Sequence, residues 1–324
     1  MRRFILFVFL FLAVYGLSLG TMTAGAQPYP NRPIQLISIS PPGGGGDITS
    51  RILVDELVKI LGTQIVVLNK PGASDTLAAD ALVRSKNDGY IIGYISSAAL
   101  VYSRITMPEN LRYDPLKDLE PLGLHVFFPI GVTVLQNSPW KNFAALIDDA
   151  KRNPGTLRVS TAGLGSTANF NVELTQSLTG AKFNHIPFKG GEAVITALLG
   201  GHVEVTYDAF GKFIPHIESG KMRPLLVARK MANFPEIPTL TELGYKQELL
   251  SGWFGLFAPV GMPPEIKKVL IAAIEKGVKD PELKAKLGKL GYVAEYKSPE
   301  ELRKLMIDDF ETANALAAKM GVKK

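Results

Sequence analysis

Ile34-Gln35-Leu36-Ile37-Ser38-Ile39-Ser40-Pro41-Pro42-Gly43-Gly44-Gly45-Gly46-Asp47-Ile48 carries the clearest structural signal in this 324-residue chain. Ile34 to Ile39 reads as a strand, residues 41–46 as a loop, and Asp47 to Leu61 as a helix that Gly62 ends. Ile48, Ile52, Leu53 and Leu57 recur at helical spacing and are expected to face inward, with Asp47 as a cap. Strand, glycine loop and helix in immediate succession open a wound α/β unit.

The same alternation continues downstream. Ile65 to Leu68 reads as strand, Thr76 to Ser85 as helix and Ile91 to Ile95 as strand. A polar, proline-bearing passage at 108–121 precedes two apolar segments, Leu122 to Phe128 and Ile130 to Leu135, where the chain is expected to cross to a second domain. A second unit then reads as helix Phe143 to Arg152, strand Leu157 to Thr161, helix Ala168 to Leu178, strand Phe183 to Pro187, helix Glu192 to Leu199 and strand Val203 to Tyr207. Pro224 to Ala228 is a further strand candidate, and Trp253 to Ala258 returns the chain to the first domain. The last seventy residues read as mainly helical. Pro263-Pro264 opens one helix and Ser298-Pro299-Glu300-Glu301 a second through a capping box. The expectation is an α/β protein of two wound domains with largely parallel sheets, residues 27–128 with 250–324 forming the first and 129–249 the second.

Composition agrees with a folded chain, with 46% apolar and 20% charged residues. The absence of cysteine excludes disulfides, thiolate metal sites and cysteine nucleophiles. Arg2-Arg3, the apolar run Phe4 to Leu19 and Ala24-Gly25-Ala26 read as a signal peptide, residues 1–26, cleaved after Ala26. A retained anchor is the alternative, although the run is short for a span. The mature protein is expected to be soluble, periplasmic and monomeric. Losing two leader arginines lowers the formal charge from +6 to +4. That charge is scattered, so no nucleic-acid partner is expected.

The loop at 41–46 offers close backbone approach and helix-start amides to an anion, or it is a flexible turn that Asp47 caps. It lacks the Lys-Ser/Thr ending of a P-loop and the spacing of a dinucleotide fingerprint. Ala162-Gly163-Leu164-Gly165-Ser166-Thr167 repeats the strand–loop–helix setting in the second unit. Two such loops on facing domains can hold one carboxylate between them. Ser166, taken alone, is better read as an N-cap, and the order around it is not that of a nucleophile elbow. Asp208 follows a strand and either faces a ligand or caps a turn. Lys70 reads as solvated, and Trp253 and Phe254 as core. His125, His185, His202 and His216 are dispersed without metal-site spacing, so no metal, cofactor or catalytic residue is expected.

These motifs in this order resemble the extracytoplasmic solute receptors of tripartite tricarboxylate transporters, the Bug-type receptors. The carriers are Tyr29-Pro30 with Arg32-Pro33-Ile34, the Pro41 to Ile48 loop, Asn69-Lys70-Pro71-Gly72-Ala73, Asp88-Gly89-Tyr90 and Tyr113-Asp114-Pro115. Downstream follow Ala162-Gly163 with Gly165-Ser166, Ile186-Pro187-Phe188-Lys189-Gly190, Leu199-Gly200-Gly201, Pro215-His216-Ile217 and Trp253 to Pro259. The resemblance implies a periplasmic-binding-protein type II-like clamp whose hinge crosses twice. It implies a small carboxylate held by Gly43, Gly44, Gly45, Asp47, Gly163, Gly165, Ser166 and Thr167, with Asp208 toward its distal end. It also implies delivery to membrane subunits of a tripartite transporter, with a secreted enzyme or a sensor partner as the alternative classes. Two departures bear on the ligand. Ser74-Asp75 stands where the family commonly has two more glycines, and Ala209-Phe210-Gly211-Lys212 replaces an asparagine-led run after Asp208.

Overall fold

The computed structural model describes residues 29–188 and 191–319, so the predicted signal peptide and the alternative anchor lie outside the described residues. Eleven strands are described: β1 Ile34–Ser38, β2 Ile65–Asn69, β3 Ile91–Ser96, β4 Leu119–Phe128, β5 Ile130–Leu135, β6 Arg158–Thr161, β7 Asn184–Pro187, β8 Val205–Ala209, β9 Met222–Val227, β10 Gly252–Pro259 and β11 Val293–Lys297. The helices are α1 Gly45–Leu61, α2 Thr76–Val83, α3 Ser103–Thr106, α4 Phe143–Arg152, α5 Thr167–Thr179, α6 Gly191–Leu199, α7 Ile214–Glu218, α8 Pro264–Lys279, α9 Pro281–Lys289 and α10 Pro299–Ala317.

Two sheets organise these elements, in the orders β11-β4-β10-β3-β1-β2 and β7-β6-β8-β5-β9. The expectation of largely parallel sheets is corrected to mixed ones. β1, β2 and β3 are parallel, as are β6, β7 and β8, but β10 lies antiparallel between β3 and β4 and β5 antiparallel between β8 and β9. Each inserted strand adjoins a chain crossing, which is why the strand directions differ there. Phe128-Pro129-Ile130 joins the sheets directly, and the chain returns after β9 to enter β10. Together the sheets and their helices form a two-domain α/β clamp.

β1 lies between β2 and β3, and its apolar residues Ile34, Leu36 and Ile37 are buried on both faces, as expected of a parallel strand covered by helices. α1 starts at Gly45, two residues before its predicted start, and stops at Gly62, whose left-handed backbone (φ 64°) lets its amide donate to the Val58 carbonyl. Its inward face differs from the prediction. Leu53, Val54 and Leu57 are buried while Ile48 is 39% exposed, because Thr49 and Ser50 take the inward positions beside it. β8 begins two residues later than predicted, since Glu204 is drawn out of the strand to accept from the Arg158 backbone and guanidinium. The capping box forms as read, with Ser298 and Glu301 each accepting from the other's amide, and α10 packs on β4. One apolar core runs through the first sheet into the second, joined by the stacked Tyr102 and Phe170 rings, 5.3 Å apart. A second cluster gathers Leu198, Phe210, Phe213 and Met222.

Candidate functional site

Strand directions place the candidate loops. β3 and β4 both run antiparallel to β10 and hence parallel to each other, so the chain leaves the first sheet at the edge where β1, β2 and β3 end. Ile130 then pairs with Ala209, so it enters the second sheet at the edge where β8, and the parallel β6 and β7, also end. The carboxyl edges of both parallel sets therefore border the crossing. This is where ligands bind in open α/β sheets.

The first glycine loop is braced from within. Gly43 has φ 79°, a conformation that favours glycine. The Asp47 side chain is buried: one oxygen accepts from the Gly43 amide at 2.9 Å, the other from Arg51 Nε at 2.9 Å and Asn69 Nδ2 at 2.8 Å. Burial alone would raise its pKa, but the bonds from Arg51, Asn69 and Gly43 outweigh this and hold it at about 2. Asp47 thus shapes the loop, and its oxygens face protein donors. The Gly44 amide donates to Pro41 and the Gly46 amide to Ser40 Oγ, while those of Gly45 and Asp47 meet no acceptor among the described residues. They are the donors left for an anion at the start of α1. Asp47→Ala is expected to cost about 2–3 kcal/mol at pH 7. That contribution is present above pH 3.8 and disappears as pH falls through about 2. Urea unfolding measures it, and a loss well under 1 kcal/mol would remove the brace.

A buried relay supports the same loop from below. Tyr94 Oη donates to Thr49 Oγ1 at 2.9 Å, which donates to the Gly45 carbonyl at 2.8 Å. With both hydroxyl hydrogens committed, the 2.7 Å contact between Tyr94 and His125 Nδ1 makes the histidine the donor. His125 is then neutral with Nε2 unprotonated, and Nε2 has no partner. Complete burial pushes its pKa down to about 3. A Cβ on Gly45 would stand 2.5 Å from Tyr292 Oη, so a side chain there meets a mostly buried ring.

The second loop is built from its own side chains. Gly163 (φ 137°) and Gly165 (φ 74°) need glycine's freedom, and a Cβ on Gly165 would collide with Thr106 of α3. Ser166 is the N-cap, accepting from the Asn169 amide at 3.2 Å and donating to the Gly163 carbonyl at 2.8 Å. Asn169 Oδ1 accepts from the Gly165 amide, which turns its amino group toward His185 Nδ1 at 3.4 Å. His185 Nε2 then donates to Thr161 Oγ1 at 2.8 Å, since that hydroxyl donates to Gly163. Burial lowers the His185 pKa, in keeping with this neutral tautomer.

A cavity of about 850 Å³ adjoins this loop. Gly163, Gly165, Ser166, Asn169 and His185 line one side, and Ser74, Ala98, Tyr102, Thr106 and Met107 of the first sheet's loops and helices the other. Of the predicted site it brings together Gly163, Gly165 and Ser166. Gly43, Gly44, Gly45, Asp47 and Asp208 are not in its wall, and Thr167 is buried beside it. Another cavity, of about 730 Å³, lies at the crossing strands away from both loops, and its Arg229 and Lys230 are already paired with Glu295 and Glu242. Asp208 is also buried, with Lys212 Nζ at 3.0 Å. Asp75 accepts from Ser96 Oγ at 2.7 Å, and burial raises its pKa. Ala73, Ser74 and Asp75 are three successive non-glycine residues at φ 48°, 52° and 71°, a strained run whose last two members are the Ser74-Asp75 departure.

The family model described as tripartite tricarboxylate transporter family receptor matches residues 49–322. The chain belongs to this receptor family. Protein BugT of Bordetella pertussis is 30% identical over 325 residues, covering 100% of this chain and 99% of BugT. A solved TctC solute binding protein from Polaromonas is 31% identical with a TM-score of 0.78, covering 90% of this chain and 99% of the other. The R. palustris protein Rpa4515, solved with adipate, is 26% identical with a TM-score of 0.77, covering 90% and 98%. MatC from Rhodopseudomonas palustris, solved with bound malate, is 25% identical with a TM-score of 0.72, covering 89% and 99%. Receptors of this family bind solutes rather than transform them, so the enzyme alternative falls away.

The receptor also uses residues that sequence reading did not single out for the site. Thr49, Tyr94, Asn169 and Tyr292 carry no local motif, and His125 and His185 read only as dispersed histidines. Their partners lie up to 247 positions away in the chain, as Gly45 and Tyr292 do, so spacing held no signal for them.

Proposed function

We propose that this receptor closes on a small organic carboxylate between its two domains, residues 27–128 with 250–324 and 129–249, and delivers it to the membrane subunits of a tripartite transporter. The observation that carries this reading is the pair of glycine-loop helix starts, at Gly45 and Thr167, on the sheet edges that border the hinge crossing. Each offers backbone donors and the positive end of a helix to an anion. In this proposal the Gly45 and Asp47 amides are the donors of the first loop, Gly43 and Gly44 allow close backbone approach, and Gly163, Gly165 and Ser166 line the facing loop. Asp47 positions the first loop, and Thr167 begins the second helix. Contacts made to both domains at once favour the closed state, so affinity and closure are linked. The malate and adipate of the two relatives support the ligand class. Residues 1–26 act in this reading as the export signal to the periplasm.

Native mass spectrometry of protein taken from its own periplasm, before and after denaturation, tests the ligand class without choosing a compound. The expected result is release of one carboxylate per chain, followed by a thermal upshift when that acid is added back. A retained neutral or cationic compound, or a folded protein that responds to no organic acid, overturns the proposal.

A further inference from the structure

Asp208, the penultimate residue of β8, is 5% exposed, and Lys212 returns from one turn later to place Nζ 3.2 and 3.0 Å from its two oxygens. Oδ1 also accepts from the Ala209 amide at 2.7 Å. The pair is pressed against the start of α6, where a Cβ on Gly191 would collide with Lys212 Nζ and lie 2.5 Å from Asp208 Oδ2. Its place in the clamp follows from register. Ala209 pairs with Ile130, the first residue of β5 after the crossing. Gly211 abuts Leu290 and Gly291, and the next residue, Tyr292, reaches Gly45. The turn that carries Lys212 is therefore joined to the first glycine loop through Gly211, Gly291 and Tyr292, across the proposed domain boundary.

An unpaired carboxylate here would attract an ammonium group and repel a second carboxylate on the ligand. Lys212 reverses this. An ammonium carries three N–H donors, of which Asp208 occupies two among the described residues, and the Lys212 side chain is 38% exposed. We propose that Lys212 is a specificity-determining residue that cancels the Asp208 charge and keeps one donor for an anionic distal group. The receptor then prefers a dicarboxylate over the amino acid of the same chain length. This rests on the reading of the cleft as a carboxylate site. A merely structural brace four residues apart would not alter the order of ligand preference.

The test is calorimetric titration of the wild type, Lys212→Met, Lys212→Arg and Asp208→Asn with adipate, 2-aminoadipate, succinate and aspartate. The wild type is expected to prefer each dicarboxylate. Lys212→Met should lose about 10- to 100-fold in dicarboxylate affinity, the worth of one charge-assisted hydrogen bond, and invert the preference toward the amino acids. Lys212→Arg should retain the wild-type order, and Asp208→Asn should bind dicarboxylates more tightly. If Lys212→Met fails to fold, Asp208→Asn decides, and unchanged or weaker dicarboxylate binding there overturns the proposal. A folded Lys212→Met with the wild-type order, or a wild type that prefers amino acids, overturns the role of Lys212 but leaves the carboxylate reading standing. A folded wild type that binds none of the four acids rejects both.

Discussion

Gly45→Asp is expected to weaken carboxylate binding about a thousandfold while the protein stays folded. Gly45 is the first residue of α1, and its amide has no acceptor among the described residues. An acidic side chain in the first turn suits the helix field, so the substitution does not threaten α1. It does place a fixed anion where the ligand anion is proposed to bind. Two like charges about 4 Å apart at an effective dielectric near 20 repel by about 4 kcal/mol, roughly a thousandfold in affinity. Steric conflict adds to this, because the new Cβ meets Tyr292 Oη. Gly45→Ala separates the two effects, since it displaces Tyr292 without adding charge and should fall between wild type and Gly45→Asp. Titration with the native acid measures all three. Wild-type affinity in a folded Gly45→Asp would detach the first loop from ligand binding.

Two groups, the buried His125 and the half-buried Asp309, are expected to pull stability in opposite directions between pH 6 and pH 4. His125, lowered from 6.5 to about 3 by burial, stays neutral in the fold while the unfolded chain takes up a proton. Its contribution to stability is present above pH 6.5 and is lost as pH falls toward about 3, at about 1.4 kcal/mol per pH unit. Asp309 behaves the other way. Burial raises its pKa from 3.8 to about 6, with the repulsion of Asp308 adding to that, although the Trp253 indole donates to it at 2.8 Å and Arg229 attracts. The folded state then holds the extra proton, so its contribution is present below pH 3.8 and lost as pH rises through about 6. Over the shared span each is worth about 3 kcal/mol, and the two nearly cancel. His125→Gln, which cannot ionise but can still donate to Tyr94, should gain about 3 kcal/mol relative to wild type as pH falls from 6 to about 4. Asp309→Asn should lose as much over the same interval. Urea midpoints at several pH values give both differences, with the remaining groups cancelling against wild type. Parallel profiles for all three proteins would contradict both shifts.

Much of the architecture was legible because α/β units write themselves locally. β1 and α4 follow the predicted runs closely, and Gly62, Gly180 and Ser298 end or begin helices where their backbone chemistry allows. What was missed has local reasons too. β11 is a half-buried Val-Ala-Glu-Tyr-Lys run with no apolar stripe. The segment from Ala98 to Thr106 opens with a π-helical turn whose apolar residues follow neither strand nor α-helix spacing.

The candidate site divided in the same way. The glycine loops could be read because glycine at φ 79°, 137° and 74° is a requirement of the chain's own backbone, visible wherever the residue appears. The role of Asp47 could not, since reading it as a ligand contact or a cap depended on whether Arg51 and Asn69 reach its oxygens first. Asp208 shows the same limit, its oxygens being met by Lys212 in the space that Gly191 leaves.

By itself, then, the amino-acid sequence determined the wound α/β units and the two glycine-loop helix starts, because periodicity, caps and left-handed glycines act over a few residues, while its ordered motifs carried the resemblance to the receptor family. Only the tertiary structure decided which polar atoms remain open to a ligand. Hydrogen bonds saturate: the His125–Tyr94–Thr49 relay, the Asn169–His185 pair and the Asp208–Lys212 pair each consume donors and acceptors. Most of those partners meet only when strands and helices separate in the chain are packed together.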